Sequence, residues 1–360
     1  MTVARDVALA PRTTLGVGGP AALFIEARSV TEIRQALELA NERSLPTVVL
    51  GGGSNLLVAD RGVRGVAIRQ CLTEIKHEAA GSGALLRVAA GTSWDDLVRF
   101  TVERGLAGLE CLAGIPGDVG AAPMQNIGAY GQEVGPTIRS VELVRRSDGA
   151  LVTMAADACE FGYRDSVFKR ALAERYVVSA VTFALEPGPP SVRYPELSRA
   201  LEGTPEPDLA QVRAAVLALR RSKSMLLDPS DPDSRSAGSF FVNPTVTEAD
   251  AEHVAERARR AGVTASLPRF AHEGQVKLSA GWLIEHAGLA KGTRRGAVGL
   301  SSKHCLAIVT REGARASEVV RFASEIRARV GDVFGVRLVP EPRPYGFEPG
   351  ELDALYGPAV

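Results

Sequence analysis

Residues 113–135, AGIPGDVGAAPMQNIGAYGQEVG, restrict the possible folds of this chain more than any other stretch. Glycine recurs there without a period, Pro116 and Pro123 remove backbone donors, and neither helical nor strand spacing fits. An irregular segment of this length inside a compact domain is usually functional, and regular elements must hold it in place.

Such elements flank it. TEIRQALELANER (31–43) has apolar residues at helical spacing behind the candidate cap Thr31. TVVL (47–50), RGVAIR (64–69) and LLRVAAG (85–91) read as strands, with GGGSN (51–55) as a loop. SWDDLVRFTVERG (93–105) predicts a helix with Ser93 as N-cap, Asp96 as its reciprocal partner and Gly105 as the stop. TIRSVELVRRSDGALVTM (137–154) predicts a hairpin around Asp148-Gly149, and RYVVSAVTFAL (175–185) a further strand. PDLAQVRAAVLALRRSK (207–223) is a helix with a basic end. The Pro-, Asp- and Ser-rich stretch 226–238 marks a domain boundary. Beyond it lie a helix started by Thr247 and Asp250, a helix in SAGWLIEHAGL (279–289), and a strand in KHCLAIVT (303–310). A third helix in 315–335 and a closing strand in VRLVPEPRPYGF (336–347) complete the chain, without internal repeats.

The balance of 42 basic against 42 acidic residues argues against a nucleic-acid or membrane-surface binder, which needs a long-range positive field. A local basic pocket for a small anion remains open. Cys71, Cys111, Cys159 and Cys305 are widely separated, with no metal-ligand spacing, and read as reduced thiols. No metal site is expected. The N-terminus has no signal-type apolar core and no run is long enough to span a bilayer, so the expectation is a soluble, cytoplasmic protein.

Two glycine loops are candidates for chemistry. In LGGGSNLLVAD (50–60), Gly51, Gly52 and Gly53 let N–H groups converge on a phosphate without an intervening Cβ, and Ser54 and Asn55 add donors. The spacing is neither the Rossmann fingerprint nor the nucleoside-triphosphate loop, and alone it is also that of a plain connector. The stretch from Gly114 to Gly131 again offers backbone donors, with Gln125 and Asn126 able to reach a planar hydrogen-bonding ring. Two such loops suit a dinucleotide, with its pyrophosphate at one and its heterocycle at the other.

GGGSNLLVAD, GIPGDVGAAPMQNIGAYGQEV, FGYRDSVFK, AGSFFVNP, KLSAGWLIEHAGL and LVPEPR occur in this order. Together they resemble the UDP-N-acetylenolpyruvoylglucosamine reductases, flavoenzymes that make UDP-N-acetylmuramate for peptidoglycan, from about residue 12 to about residue 345. The resemblance implies an α+β fold: a two-lobed FAD-binding domain of the vanillyl-alcohol-oxidase type plus a C-terminal α+β substrate-binding domain. On this chain the lobes are expected at 1–70 and 71–228, the substrate domain at 229–330, and a segment returning to the active site at 331–360. It also implies FAD and NADPH as cofactors, a UDP-sugar enolpyruvyl ether as substrate, and a monomer. FAD contacts would fall on Gly51–Asn55, Gly114, Ile115, Pro116, Gly117, Gly120, Ala121, Gln125, Asn126, Gly128, Ala129 and Tyr130.

The implied reaction delivers hydride to the terminal carbon of a vinyl ether, and charge spreads from the neighbouring carbon into a carboxylate. The site therefore needs a cation at the carboxylate, a second polar group, and a proton source on one face. Arg164 in FGYRDSVFK fits the cation, since a guanidinium forks onto a carboxylate; its spacing also suits a salt bridge to Asp165. Glu341 resembles the family's C-terminal glutamate, and beside a developing negative charge it must carry or share a proton. Otherwise it is a surface acid near a prolyl turn. Ser239, which by itself reads as an ordinary turn, occupies the position of the family's proton donor. Phe240 and Phe241 would wall the pocket, and the small Gly238 would admit the substrate.

By resemblance, Tyr194, Lys223, Asn243 and His304 handle the nucleotide diphosphate, with Tyr194 on a loop that covers the substrate. Tyr163 is either a pocket residue or a core tyrosine, and His304 is also readable as a histidine satisfied by its neighbours. Val242 replaces a usual lysine, a loss that Arg235 or Lys223 would offset. Pro342 replaces an aliphatic residue after the glutamate, and TTLGVGG (13–19) departs from the usual Asn-Thr-Phe. Two other readings stay open: an oxygen-using oxidase of the same flavin superfamily, and a non-catalytic flavin- or nucleotide-binding regulator.

Overall fold

Residues 113–135 contain no regular element longer than the 3-10 turn Val119–Met124. Backbone bonds pin the stretch to its flanks: Val119 and Gly120 donate to the carbonyls of Thr92 and Ala90, and Trp94 donates to that of Gly117. A computed structural model describes residues 1–357 and divides them into two compact units. The first takes residues 1–7, 21–53 and 64–226; the second takes 8–20, 54–63 and the chain from 227 onward.

In the first unit, one sheet runs in the order Val3–Ala8, Pro20–Ala27, Val63–Gln70, Thr47–Leu50, the last pair parallel. Helix α1 (Val30–Glu42) buries Ile33, Ala36, Leu37 and Ala40. Its cap is Ser29 rather than Thr31: Ser29 has extended backbone and its hydroxyl accepts from Glu32 N–H at 3.1 Å. Thr31 is already helical and so lacks the geometry of a cap.

The larger sheet is antiparallel, in the order Leu151–Ala155, Ile138–Arg145, Tyr176–Pro187, Gly83–Ala89, Ile75–Ala80, with Leu106–Ala107 on the end of the long strand. The hairpin forms where expected, Val144 opposite Leu151, with Gly149 at φ +70° and the Asp148 carboxylate accepting from Ala150 N–H. Helix α2 (Trp94–Val102) is capped by Ser93, but Asp96 turns to Arg99 at 2.8 Å rather than back to the cap. A charged donor one turn on is the stronger partner. Helices α3 (Pro195–Ala200) and α4 (Leu209–Ser222) follow, α4 opened by a reciprocal Asp208–Gln211 box. Apolar residues form two clusters here, one around Ile25, Ile33 and Ile68, the other around Trp94, Val181 and Phe183.

The second unit has an antiparallel sheet in the order Ser236–Ser239, Ala307–Thr310, Val298–Leu300, Arg294–Arg295, and a smaller one of Thr245–Val246, Gln275–Leu278 and Arg269–His272. Helices α5 (Glu248–Arg260), α6 (Ala280–His286), α7 (Ala316–Phe334) and α8 (Asp353–Tyr356) complete it. Its core joins Leu15, Val17 and Leu57 to Phe240, Phe241, Ile284 and Phe322. Thus TTLGVGG supplies core residues, and Thr310 Oγ1 donates to the Leu15 carbonyl. Of the expected closing strand only Arg343–Tyr345 forms, parallel to Leu56–Val58, because Pro340 and Pro342 cannot donate to a ladder. The antiparallel sheets with their helices make the chain α+β, as expected from its sequence.

Asp233 ties this unit together. Its buried carboxylate accepts from Ser301 Oγ, from the N–H and Oγ of Ser302, and from Arg311 at 2.5 Å. Burial raises its pKa, but the bonds from Arg311, Ser302 and Ser301 outweigh burial and pull it down to about 2. A depressed carboxyl stabilises the fold above its unfolded pKa and loses that contribution as pH falls towards the folded value. Asp233→Asn should therefore cost about 2–4 kcal/mol in urea unfolding at pH 7, and the difference from the parent should shrink between pH 4 and pH 2.

Candidate functional site

The two glycine loops meet inside the first unit. Gly51–Gly53 follow the strand Thr47–Leu50, and a methyl group on Gly52 would lie 2.7 Å from the Cα of Gly117. Only glycine at position 52 permits that approach. Beside them, Gly51 faces the Asp118 carboxylate, which is buried and bonded to Arg69 at 2.6 Å. Burial raises the Asp118 pKa against the pull of Arg69. Ser54 and Asn55, expected on the same loop, belong to the second unit.

Several donors in the second loop are already used. Gly120 N–H serves the Ala90 carbonyl at 2.8 Å, Ala121 N–H serves Asp118, and Gly114 N–H serves the Asp95 carboxylate. Ile115 donates to Leu112, and Ala129 pairs with Gln132 in a two-residue ladder. Gln125 ends the 3-10 turn that contains Pro123. The side chain of Asn126 does not reach towards a ring: it is buried, its amide donates to Glu133 and Gly162, and its oxygen accepts from Gly135 N–H at 2.7 Å. At φ +46° it braces the loop instead.

Arg164 also has a left-handed backbone, φ +53°, a conformation that persists only where surrounding contacts impose it. Its guanidinium donates to the Gly128 carbonyl at 2.5 Å and lies 5.7 Å from the Tyr163 ring. Asp165 pairs with Arg170 at 2.7 Å. The Tyr130 ring meets Tyr194 edge-on at 5.6 Å and lies 5.8 Å from the Lys223 ammonium, which is paired with Glu196 at 2.5 Å.

Sequence reasoning missed Arg220. It lies beside this group, its guanidinium donating to the carbonyls of Gly114 and Met225, and burial lowers its pKa despite the nearby Tyr130 and Asp95. A half-buried cation hydrogen-bonded to two carbonyls is suited to an anionic ligand. The available signal was the basic end of α4, which alone does not separate a buried arginine from a solvated one.

The second unit brings Ser239 and Glu341 onto neighbouring segments. Ser239 pairs with Ala307 after a register shift at Gly238, whose φ is +73° and beside which a Cβ would meet nothing within 4 Å. Phe240 N–H donates to Leu306, and the Phe240 carbonyl accepts from Glu341 N–H at 2.9 Å. Phe240 and Phe241 are not pocket walls. Both are buried in the core with rings 5.3 Å apart, so they fix the backbone between Ser239 and Glu341. Asn55 donates to the Glu341 carbonyl at 3.3 Å, and Asn243 accepts from Ala280 N–H at the start of α6. The His304 carbonyl takes the N–H of Ala307, the residue opposite Ser239. Arg235 donates to the Gly16 carbonyl. Among the described residues no cluster of three or more His, Cys, Asp or Glu could hold a metal.

Residues 21–155 match the family described as FAD binding domain, so the chain is a flavoprotein. Residues 229–345 match UDP-N-acetylenolpyruvoylglucosamine reductase, C-terminal domain. It is 45% identical over 347 residues to the UDP-N-acetylenolpyruvoylglucosamine reductase of Thermobifida fusca, covering 94% of this chain and 97% of that one. Against that of Streptomyces avermitilis it is 44% identical, with 95% of each chain covered. The solved structure of the reductase from Thermus caldophilus superimposes with a TM-score of 0.65 at 30% identity, covering 96% of this chain and all of that one. The chain belongs to the UDP-N-acetylenolpyruvoylglucosamine reductase family and is an FAD-dependent oxidoreductase.

A Cβ at position 52 would collide with backbone rather than with a movable side chain. Gly52→Ala should lower FAD affinity at least about tenfold, or ~1.4 kcal/mol, in a flavin-fluorescence titration, with the circular dichroism spectrum unchanged.

Proposed function

We propose that this enzyme reduces the enolpyruvyl ether of UDP-N-acetylglucosamine-enolpyruvate to UDP-N-acetylmuramate, with NADPH as reductant. The observation that most supports this reading is the placing of Ser239 and Glu341 on segments joined by the Phe240–Glu341 hydrogen bond. The residues also suit FAD: the Gly52–Gly117 approach leaves backbone rather than side chains at the loop junction, and Arg220 offers a half-buried cation. The glycine loops would hold FAD, which when bound would supply the hydride-transfer chemistry between NADPH and the sugar nucleotide.

Each side chain then has a task. Arg164, held by Gly128, pairs with the substrate carboxylate and takes up the charge that develops there. Glu341 shares a proton at the same carboxylate. Ser239 delivers the proton to the carbon next to the ether oxygen; the open space beside Gly238 lets that carbon approach. One face is protonated, so one stereoisomer forms. Lys223 meets the pyrophosphate, which displaces Glu196 from it, and Tyr194 covers the nucleotide. Asn243, His304 and Tyr163 contact the substrate, while Gln125, Pro116 and the backbone of the glycine loops contact FAD. The enzyme works as a cytoplasmic monomer; no helix among the described residues is long and apolar enough to cross a membrane.

Ser239→Ala should leave bleaching of the flavin by NADPH intact and slow re-oxidation by the enolpyruvyl substrate by ~10²–10³ or more in stopped flow. Comparable losses in both half-reactions would remove Ser239 from the proton-donor role. Arg164→Lys should retain FAD while re-oxidation fails, because the fork geometry is lost. Loss of bound flavin instead would make Arg164 structural.

A further inference from the structure

The backbone that presents Glu341 is held from several sides. Glu341 N–H donates to Phe240, the Glu341 carbonyl accepts from Asn55 Nδ2, and Arg343 N–H donates to the Asn55 carbonyl at 2.9 Å. Between those bonds sits Pro342, which has no N–H and cannot continue the ladder. Its carbonyl accepts from the Tyr356 hydroxyl, at 2.6 Å.

Tyr356 is well placed to hold that point. Its ring packs against the main core of the second unit, next to the fully buried Leu355. Burial pushes its pKa up, so the phenol stays a donor across the working pH range. The segment carrying it is fastened at both ends. Arg61 pairs with Glu348 at 2.8 Å and with Glu351, and Arg327 donates to the Ala354 carbonyl. At the start of the segment, a methyl group on Gly346 would overlap the Gly62 carbonyl, and the φ of Gly346 is +77°.

We propose that Tyr356 is a positioning residue for Glu341, setting the peptide that follows it through the Pro342 carbonyl. The inference rests on the reading that Glu341 acts at the substrate carboxylate. A net hydrogen bond of about 1 kcal/mol corresponds to roughly fivefold in rate when it is spent on alignment.

Tyr356→Phe removes only the hydroxyl. Re-oxidation of reduced flavin by the enolpyruvyl substrate should slow at least about threefold, with bleaching by NADPH unchanged. Hydrogen exchange at the amides of Glu341 and Arg343 should quicken, a readout independent of turnover and of cofactor loading. Glu341→Gln and the double variant complete a cycle: if Tyr356 acts through Glu341, the double variant re-oxidises no more slowly than Glu341→Gln alone. Fully additive losses, equal losses in both half-reactions, or unchanged exchange at both amides would overturn the proposal. If Glu341→Gln itself re-oxidises normally, the role of Glu341 fails and this inference with it. If only Tyr356→Phe is normal, the inference alone fails.

Discussion

The passage of Gly52 over Gly117 is the contact that sets the junction of the two glycine loops. Two stretches of backbone come close enough to exclude any side chain, so their geometry must be imposed from outside. The Arg69–Asp118 pair does this next to the junction, and the carbonyls of Ala90 and Thr92 do it from the sheet side. Further along the same loop, the carbonyls of Gly114 and Gly128 receive Arg220 and Arg164. A loop without periodicity thus becomes a fixed surface that orients two guanidinium groups. Its rigidity comes from saturating its backbone as well as from sinking Val119, Ala122 and Val134 into the core.

The second unit reaches the same end by the opposite route. There the rigid element is apolar: Phe240 and Phe241 sink into the core and fix the main chain that runs from Ser239 to the partner of Glu341. The polar side chains of Ser239 and Glu341 are thereby mounted on a hydrophobic anchor, and after the register shift that precedes it Ser239 pairs with Ala307.

Much of this was legible in the sequence. Helical spacing located the helices after Thr247 and Ser279, and Asp148-Gly149 located the hairpin, because those signals are local. The motifs around residues 51, 117, 164, 239 and 341 carried the family. The sequence did not disclose which partner each polar group would take. Asn126 looked like a ring-reading amide, yet Glu133 and Gly162 take both of its N–H donors and its oxygen accepts from Gly135. Asn55 looked like a phosphate donor, yet its amide lies on the Glu341 carbonyl, contributed by the far end of the chain. Arg220 and Glu196 were hidden for the same reason, since burial and pairing are set by tertiary register, not by spacing along a helix. Even the cap of α1 turned on whether helical backbone began one or two residues earlier.

The second unit draws on residues 8–20 and 54–63 as well as on the C-terminal half. During synthesis those two early strips leave the ribosome long before Thr310 and Arg343–Tyr345, their eventual hydrogen-bonding partners. Leu15, Val17 and Leu57 must wait, unsheltered, for a core that does not yet exist. An excised fragment spanning only 229–345 would therefore lack part of its own interior.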